Sequence, residues 1–383
     1  MGRLHGVGII GAGDISASYL RWSRLFGNFE IRAIASRTPA SAQARGREFE
    51  TEALSIDALL ARDDITAVVN LTPPASHFSV SRDIVSANKH VYSEKPFVPS
   101  LDEGRQLLAL AQARGLTVAS APDTFLGGAH QAVRQTVDAG MIGAISGGTC
   151  QFMNAGMEHR HPNPAFFFAE GGGPVLDIAP YYVTALVNLL GPVRQVAAFG
   201  TKGAQTRLVS APGPNHGRRL PVDVNTTVHG VLEFHSGPVV SIMVSWDVPA
   251  HGHPNHIELY GSRASLYIPD PDFFGGQAVI TGDDGSTRAL SPNDHPFGPD
   301  NEFINQPQQR ANYRGAGLAD MLAALETGRE PRCNATLALH VIDILTGLNQ
   351  AAAERRVVTM TTSCSRPDSL TAQEARTLLA RTS

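Results

Sequence analysis

The chain has 383 residues, with 31 Lys and Arg against 35 Asp and Glu, a formal net charge of −4 and no long run of either sign. That balance provides no basic footprint for nucleic acid and no cationic helix for a membrane surface, so a small neutral or polar ligand is the expected partner. The length exceeds what one hydrophobic core usually serves and points to two domains, and the opening Met1-Gly2-Arg3-Leu4-His5-Gly6-Val7 has no apolar signal core, so a cytoplasmic location is expected.

In chain order, Gly6 to Ile10 is a short apolar run ending at Gly11, and Ile15 to Phe26 has helical spacing of Leu20, Trp22 and Leu25. Ile31 to Ala35 predicts a second strand and Ala40 to Phe49 a second helix. A third strand, Ala67 to Thr72, stops at Pro73-Pro74, because neither proline can donate to a sheet ladder. A helix over Ser76 to Ala87 leads to a strand at His90 to Ser93, and a helix over Leu101 to Arg114 leads to a strand at Leu116 to Ala119. Alternating strands and helices imply parallel pairing through right-handed crossovers. Residues 1–122 are therefore expected to form an α/β doubly wound parallel sheet of the Rossmann kind.

The turn Gly11-Ala12-Gly13-Asp14-Ile15-Ser16 joins the first strand to the first helix and fits the dinucleotide fingerprint, with Ser16 in place of the third glycine. Two glycines allow the tight turn and close pyrophosphate approach; the third position only packs helix on strand, and serine is nearly as small. Gly11, Gly13, Asp14 and Ile15 are thus expected at the cofactor, whose pyrophosphate would sit on the helix N-terminus. The second strand ends in Ser36-Arg37, where an NAD site presents a carboxylate to the ribose. No acid waits there to repel a 2′-phosphate and Arg37 is suited to pair with one, so NADP is expected over NAD. Lys95, in Glu94-Lys95-Pro96 after the strand His90 to Ser93, places an amine where it can do proton chemistry beside a nicotinamide.

After about residue 123 the alternation stops. Phe125 to Ala139 predicts a helix, and then period-two segments follow at Thr149 to Met153, Thr227 to Phe234, Val239 to Val248, His256 to Tyr260 and Ser265 to Ile268. Turn residues at 235–238 and 261–264 predict hairpins, so 123–383 reads as a second domain with a large open, mostly antiparallel sheet. Helices are expected over Gly317 to Glu326, Ala335 to Ala353 and Thr371 to Ala380, and long loops over 201–221 and 269–307. The segment Met157 to Pro164 offers His159 and His161 as substrate contacts. A second His-rich stretch, 251–256, has no cysteine or carboxylate nearby to complete a ligand set, so no metal is expected. Cys150, Cys333 and Cys364 lie far apart and read as incidental thiols.

Taken together, the glycine turn, Thr72-Pro73-Pro74-Ala75-Ser76-His77, Glu94-Lys95-Pro96 and Gly171-Gly172-Gly173-Pro174-Val175-Leu176-Asp177 resemble, in order, the motifs of the Gfo/Idh/MocA family of nicotinamide-dependent sugar and polyol oxidoreductases. The resemblance implies catalysis in the cleft between the two domains and a homodimer or homotetramer assembled through the open sheet. It also implies that Lys95 relays the proton of the reacting hydroxyl, that the Lys95-Pro96 peptide is often cis, and that Asp177 binds a substrate hydroxyl. Thr72, Pro73, His77 and Glu94 match positions that touch or shape the nicotinamide pocket, and Asp123 follows the last parallel strand at the edge where ligands bind. Four residues after Asp177 the family usually carries histidine, and this chain carries Tyr181. On one helix that spacing would put Asp177 and Tyr181 on a common face; either Lys95 lowers the phenol and the two act as a pair, or Lys95 works alone and Tyr181 only binds.

The implied activity is hydride transfer between NAD(P) and a secondary alcohol or ketone of a sugar, polyol or derivative, without nucleic acid or membrane partners. Two alternatives differ in class: a non-catalytic cofactor-binding regulator, which would not need the lysine, and glycosidic cleavage through transient oxidation by a tightly held NAD.

Overall fold

The computed structural model describes residues 4–302 and 310–380. Strands β1 (His5–Ile10), β2 (Phe29–Ala35), β3 (Glu52–Leu54), β4 (Ala67–Asn70), β5 (His90–Ser93) and β6 (Val118–Ser120) form one parallel sheet in the order β3-β2-β1-β4-β5-β6. They are connected by helices α1 (Asp14–Trp22), α2 (Pro39–Phe49), α3 (Ile56–Leu60), α4 (His77–Ser86) and α5 (Leu101–Ala113). Every residue of β1 and β4 is buried, as a sheet covered on both faces requires. The first connection reverses direction at β1, so the C-terminal ends of β1 and β4 open a crevice at the switch point, where ligands of such sheets bind. The sequence reading did not include β3 and α3; at three and five residues they are too short for a periodic signal.

Beyond β6 come α6 (Gly128–Asp138), β7 (Ile145–Met153), the one-turn helices α7 (Ala165–Phe168) and α8 (Pro174–Asp177), α9 (Ala179–Leu190) and β8 (Val193–Thr201). The chain continues with β9 (Thr206–Leu208), β10 (Arg219–Pro221), β11 (Thr227–Phe234), β12 (Val239–Ser245), β13 (His256–Gly261), β14 (Ala264–Pro269), β15 (Val279–Gly282) and β16 (Thr287–Ala289). Last are α10 (Ala316–Thr327), α11 (Ala335–Glu354), β17 (Val358–Thr359) and α12 (Ala372–Leu378). The second sheet runs β16-β15-β14-β13-β7-β12-β11-β8-β17 and is mixed: β7 and β12 are parallel, and the other pairs are antiparallel. Both expected hairpins are present, as β11–β12 and β13–β14.

Alternation decides the faces of this sheet. In β11, Val228, Gly230, Leu232 and Phe234 point inward, while His229 and Val231 face out. The inner face packs on α9 and α11, and one continuous core runs from Ile9 and Val69 of the first sheet through Tyr181, Val187 and Leu345 to Val228 and Ile242 of the second. Two expectations need correction. The segments 201–221 and 269–302 are not plain loops, since they contain the β9–β10 ribbon and the β15–β16 extension, whose strands are only three or four residues long. The remaining expected loop residues, 303–307, lie outside the described residues. Moreover, α9 is buried along all twelve residues, so it has no polar face to give a helical period and reads from sequence only as an apolar run.

Candidate active site

At the crevice, Gly11 has φ +118°, and a Cβ there would stand 2.5 Å from the carbonyl carbon and oxygen of Leu71, so only glycine fits. Gly13 caps α1 from extended backbone. No side chain caps the helix, and a Cβ at Gly13 would meet nothing within 4 Å. Uncapped amides facing open space are a cradle for an anion, and the residues present fit a dinucleotide pyrophosphate. Asp14 and Ile15 begin the helix. Ser16 is buried and its hydroxyl donates to the Gly13 carbonyl at 2.6 Å, which explains why serine serves at the third glycine position. Ser36 ends β2. Arg37 is exposed and, among the described residues, makes no hydrogen bond or ion pair. A second arginine, not foreseen from the sequence, approaches the turn: Arg45 Nη2 of α2 lies 3.4 Å from the Gly13 carbonyl.

The Thr72-Pro73-Pro74 loop is tied down from below. Asn70 Oδ1 accepts from the Thr72 amide at 3.2 Å and from its hydroxyl at 2.7 Å, while Asn70 Nδ2 donates to Ser81 and to the His77 carbonyl. The buried His77 ring has Nδ1 2.6 Å from the Pro96 carbonyl and Nε2 2.8 Å from that of Thr72, so it bridges two cleft loops. A neutral ring donates to one carbonyl and only the imidazolium to both. Burial, which lowers the His77 pKa, and the two carbonyls therefore pull in opposite directions.

Lys95 leaves the end of β5 through a cis Lys95-Pro96 peptide. Its Nζ donates to Asp177 Oδ1 at 2.8 Å and to the Asp177 carbonyl at 2.5 Å, and lies 5.3 Å from the centre of the Tyr181 ring. Asp177 and Tyr181 do not share a helix as expected. Asp177 is the last residue of α8, Ile178 breaks the run with φ −107°, and Tyr181 is the third residue of α9. They meet at Lys95 all the same. Burial alone would lower the Lys95 pKa, but Asp177, Tyr181 and Glu94 outweigh it and hold the amine above the ordinary lysine range. For Tyr181, burial raises the phenol well above its usual value although Lys95 pulls it down, which reverses the expected direction.

Beneath the lysine lies a buried polar cluster. Glu94 Oε2 accepts from the Lys95 amide at 2.9 Å and its Oε1 accepts from the Tyr19 hydroxyl at 3.0 Å. Arg314 Nη1 sits 3.2 Å from Asp123 Oδ1 and 3.8 Å from Glu94 Oε1. Asp123 is 0% exposed and its Oδ2 accepts from the amides of Gly315 and Gly317 at 3.1 Å each. The expectation that Asp123 touches the cofactor is therefore corrected: its oxygens are spent on the start of α10. Glu94 is likewise a support for the lysine backbone more than a cofactor ligand. Arg314 lies 219 positions beyond Lys95 (314 − 95), and nothing local in the sequence marks it.

Next along α9 from Tyr181, Tyr182 donates to Asp270 Oδ1 at 2.7 Å. Burial and then the neighbouring Asp272 push the Asp270 carboxyl up to about 7. A cavity of about 350 Å³ opens beside Asp177, walled also by Pro73, Pro74, Pro96, Phe166 and Phe167. His161 packs edge-on against Phe166 and Phe167 at 5.4 Å from each, so it supports the aromatic wall. His159 is exposed and its Nδ1 lies 2.6 Å from the Ser210 hydroxyl. Neither histidine is brought to the Lys95 group by any recorded contact among the described residues. The three cysteines are free thiols; burial raises those of Cys150 and Cys333 and pushes Cys364 up to about 12.

A parallel sheet with an uncapped glycine turn, and an ammonium paired with a carboxylate and a phenol beside the same crevice, define a dinucleotide-linked oxidoreductase of two-sheet architecture. Residues 5–121 match the model of the oxidoreductase family with an NAD-binding Rossmann fold, and residues 130–267 match the model of the GFO/IDH/MocA C-terminal domain. The chain belongs to the Gfo/Idh/MocA oxidoreductase family. Among its relatives, a dTDP-3,4-didehydro-2,6-dideoxy-alpha-D-glucose 3-reductase of Saccharopolyspora spinosa is 29% identical over 62% of this chain. The match spans 66% of that relative, just under two thirds of its length. A D-xylose 1-dehydrogenase (NADP(+)) of Haloferax volcanii is 28% identical over 63% of this chain and 70% of its own. Levoglucosan dehydrogenase, solved with NADH and levoglucosan, shares the fold with a TM-score of 0.78 at 19% identity, over 94% of this chain and all of that one. No helix among the described residues is long and apolar enough to cross a membrane.

Proposed function

We propose that this protein transfers a hydride between NAD(P) and a secondary alcohol or ketone of a sugar, polyol or derivative, with residues 1–122 holding the cofactor and 123–383 the substrate and the subunit contacts. The observation that carries this reading is the contact of Lys95 Nζ with Asp177 and Tyr181, which joins the strand-end lysine of one domain to two polar groups of the other. Gly11, Gly13, Asp14 and Ile15 would hold the pyrophosphate, Ser36 and Arg37 the ribose end, and Thr72 and Pro73 the rim of the nicotinamide pocket. Bound there, the nicotinamide would supply or accept the hydride.

The chain's own groups handle the oxygen and its proton. Lys95 and Tyr181 both rest protonated near neutrality, because the carboxylates hold the amine up and burial holds the phenol up. A protonated amine beside a protonated phenol can polarise a carbonyl and deliver a proton as it becomes a hydroxyl, which supports ketone reduction from the resting site. Asp177 accepts from a substrate hydroxyl while it keeps Lys95 in place. In oxidation, the hydroxyl proton passes to whichever of the pair has released its own.

Arg37 at the end of β2, the Arg45 approach to Gly13 and the NADP-linked Haloferax relative support NADP over NAD. The outer face of the nine-stranded sheet exposes Phe199, Val231, Val239 and Tyr260, which supports a homodimer or homotetramer through that face. The deciding experiment is a screen of sugars and polyols with both cofactors on wild type and Lys95→Ala. Turnover should fall on the order of 10² to 10⁴ in the variant; if no substrate shows Lys95-dependent hydride transfer, the dehydrogenase reading is lost. Arg37→Ala should weaken NADP binding about tenfold or more with NAD unaffected, and equal NADP affinity would remove the cofactor preference.

A further inference from the structure

The cavity of about 350 Å³ shares Asp177 with the Lys95 group, while neither Lys95 nor Tyr181 lines it, so it lies beside the lysine and not around it. No residue of the glycine turn or of Ser36-Arg37 lines it either, and the pyrophosphate and ribose end of a dinucleotide do not account for it. The cleft loops contribute four prolines and Val98 to its walls, and the second domain contributes Phe166, Phe167, Leu176 and Ile342. Among the described residues no Lys, Arg or His lines it. The polar side chains there are those of Glu170, Asp177 and Thr346; Asp177 is engaged by Lys95, and the Thr346 hydroxyl donates to the Ile342 carbonyl at 2.8 Å.

The aromatic part of the wall is fixed relative to Asp177. The Phe166 and Phe167 ring centres are 4.0 Å apart, and Phe167 meets the fully buried Trp246 edge-on at 5.9 Å. The Gly173 amide donates to the Phe167 carbonyl at 2.8 Å, and a Cβ at Gly172 would stand 2.5 Å from that same oxygen. The triple glycine thus folds the chain back on the aromatic pair and holds it against α8, whose last residue is Asp177. Phe166 is still 47% exposed, a large apolar ring left open on the cavity wall.

These walls discriminate by chemistry. A phosphate or carboxylate would find no cation to pair with and two carboxylates to repel it. A second sugar ring would bring several hydroxyls to proline and phenylalanine surfaces that offer no partners, and unmatched buried hydroxyls are costly. A flat apolar group has no such cost and gains ring contacts. Size allows it, since an apolar cavity of about 150 Å³ holds a benzene ring.

We propose that the cavity is an aglycone site and that the substrate is an aryl glycoside, with its sugar ring at Lys95, Asp177 and Tyr181 and its neutral aromatic substituent against Phe166 and Phe167. This rests on the dehydrogenase reading for the position of the reacting ring.

The test uses matched pairs, the methyl and phenyl β-glycosides of D-glucose, D-galactose and D-xylose, on the NADH and NADPH complexes of wild type, Phe166→Ala and Ala75→Trp. Equilibrium binding is read by quenching of the nicotinamide fluorescence, and KM and kcat by hydride transfer. For the sugar that fits, wild type should bind the phenyl glycoside about ten- to hundredfold more tightly than the methyl one, with the gain in KM. The preference should fall to about threefold or less in Phe166→Ala, which removes the ring contact. It should fall likewise in Ala75→Trp, which adds bulk to the cavity wall. Both positions are exposed, so both variants should keep the wild-type Tm. Loss of the preference in either variant supports the site. Equal binding within every pair, no glycoside binding to wild type, or a phenyl preference that survives both substitutions overturns it. Phenyl-selective binding without hydride transfer keeps the aglycone site and removes the dehydrogenase reading; hydride transfer without phenyl selectivity does the reverse.

Discussion

Burial keeps the Tyr181 phenol protonated although an ammonium sits against its ring, and the same desolvation favours the protonated form of the Asp270 carboxyl. Asp270 titrates near 7 in the folded chain, against about 3.9 for a free aspartate. Its folded pKa is raised, so the stability it contributes is present below about pH 4 and is lost as pH rises through 7. Asp270→Asn should therefore match wild type at pH 4 and exceed it at pH 8, on the order of 2–4 kcal/mol by urea denaturation. An equal difference at both pH values would show that Asp270 is not held neutral. A lowered Tyr181 phenol was one of the readings open from the sequence, because the resemblance brings the residue toward Lys95 and says nothing of the walls that enclose it.

At the scale of elements, the site depends on how helices begin and end. Ile178 separates α8 from α9, so Asp177 and Tyr181 converge on Lys95 from two helices and not from one face. The start of α10 is tied to Asp123, whose oxygens take the Gly315 and Gly317 amides and the Arg314 guanidinium. Asp123→Ala leaves Arg314 without its closest carboxylate and should cost about 3–5 kcal/mol of stability. Folded Asp123→Ala should still bind NADP with near wild-type affinity, measured by titration at low temperature. A selective loss of NADP affinity at full stability would restore a cofactor role to Asp123. The Ser16 hydroxyl on the Gly13 carbonyl is the local counterpart: its substitution for glycine was legible because size alone decides that position.

For the whole molecule, α9 and α11 lie between the two sheets, so the second sheet has its inner face covered and its outer face open. Phe199 is 70% exposed there, the most exposed large apolar side chain among the described residues. Phe199→Asp should shift the protein toward monomer in sedimentation velocity, and an unchanged mass would place any subunit contact elsewhere. Most of this architecture could be read from residue order: the parallel sheet from alternating strands and helices, the hairpins at 235–238 and 261–264 from turn residues, and the glycine turn from steric limits at Gly11. Those properties belong to residues that are neighbours along the chain, and periodicity and φ preference carry them. Packing alone decided that His77 and Asp123 face inward as braces, that Arg314 joins Glu94 beneath Lys95, and which ionisable groups keep their protons. Desolvation and charge compensation depend on residues hundreds of positions apart, and no local pattern encodes which of them will meet.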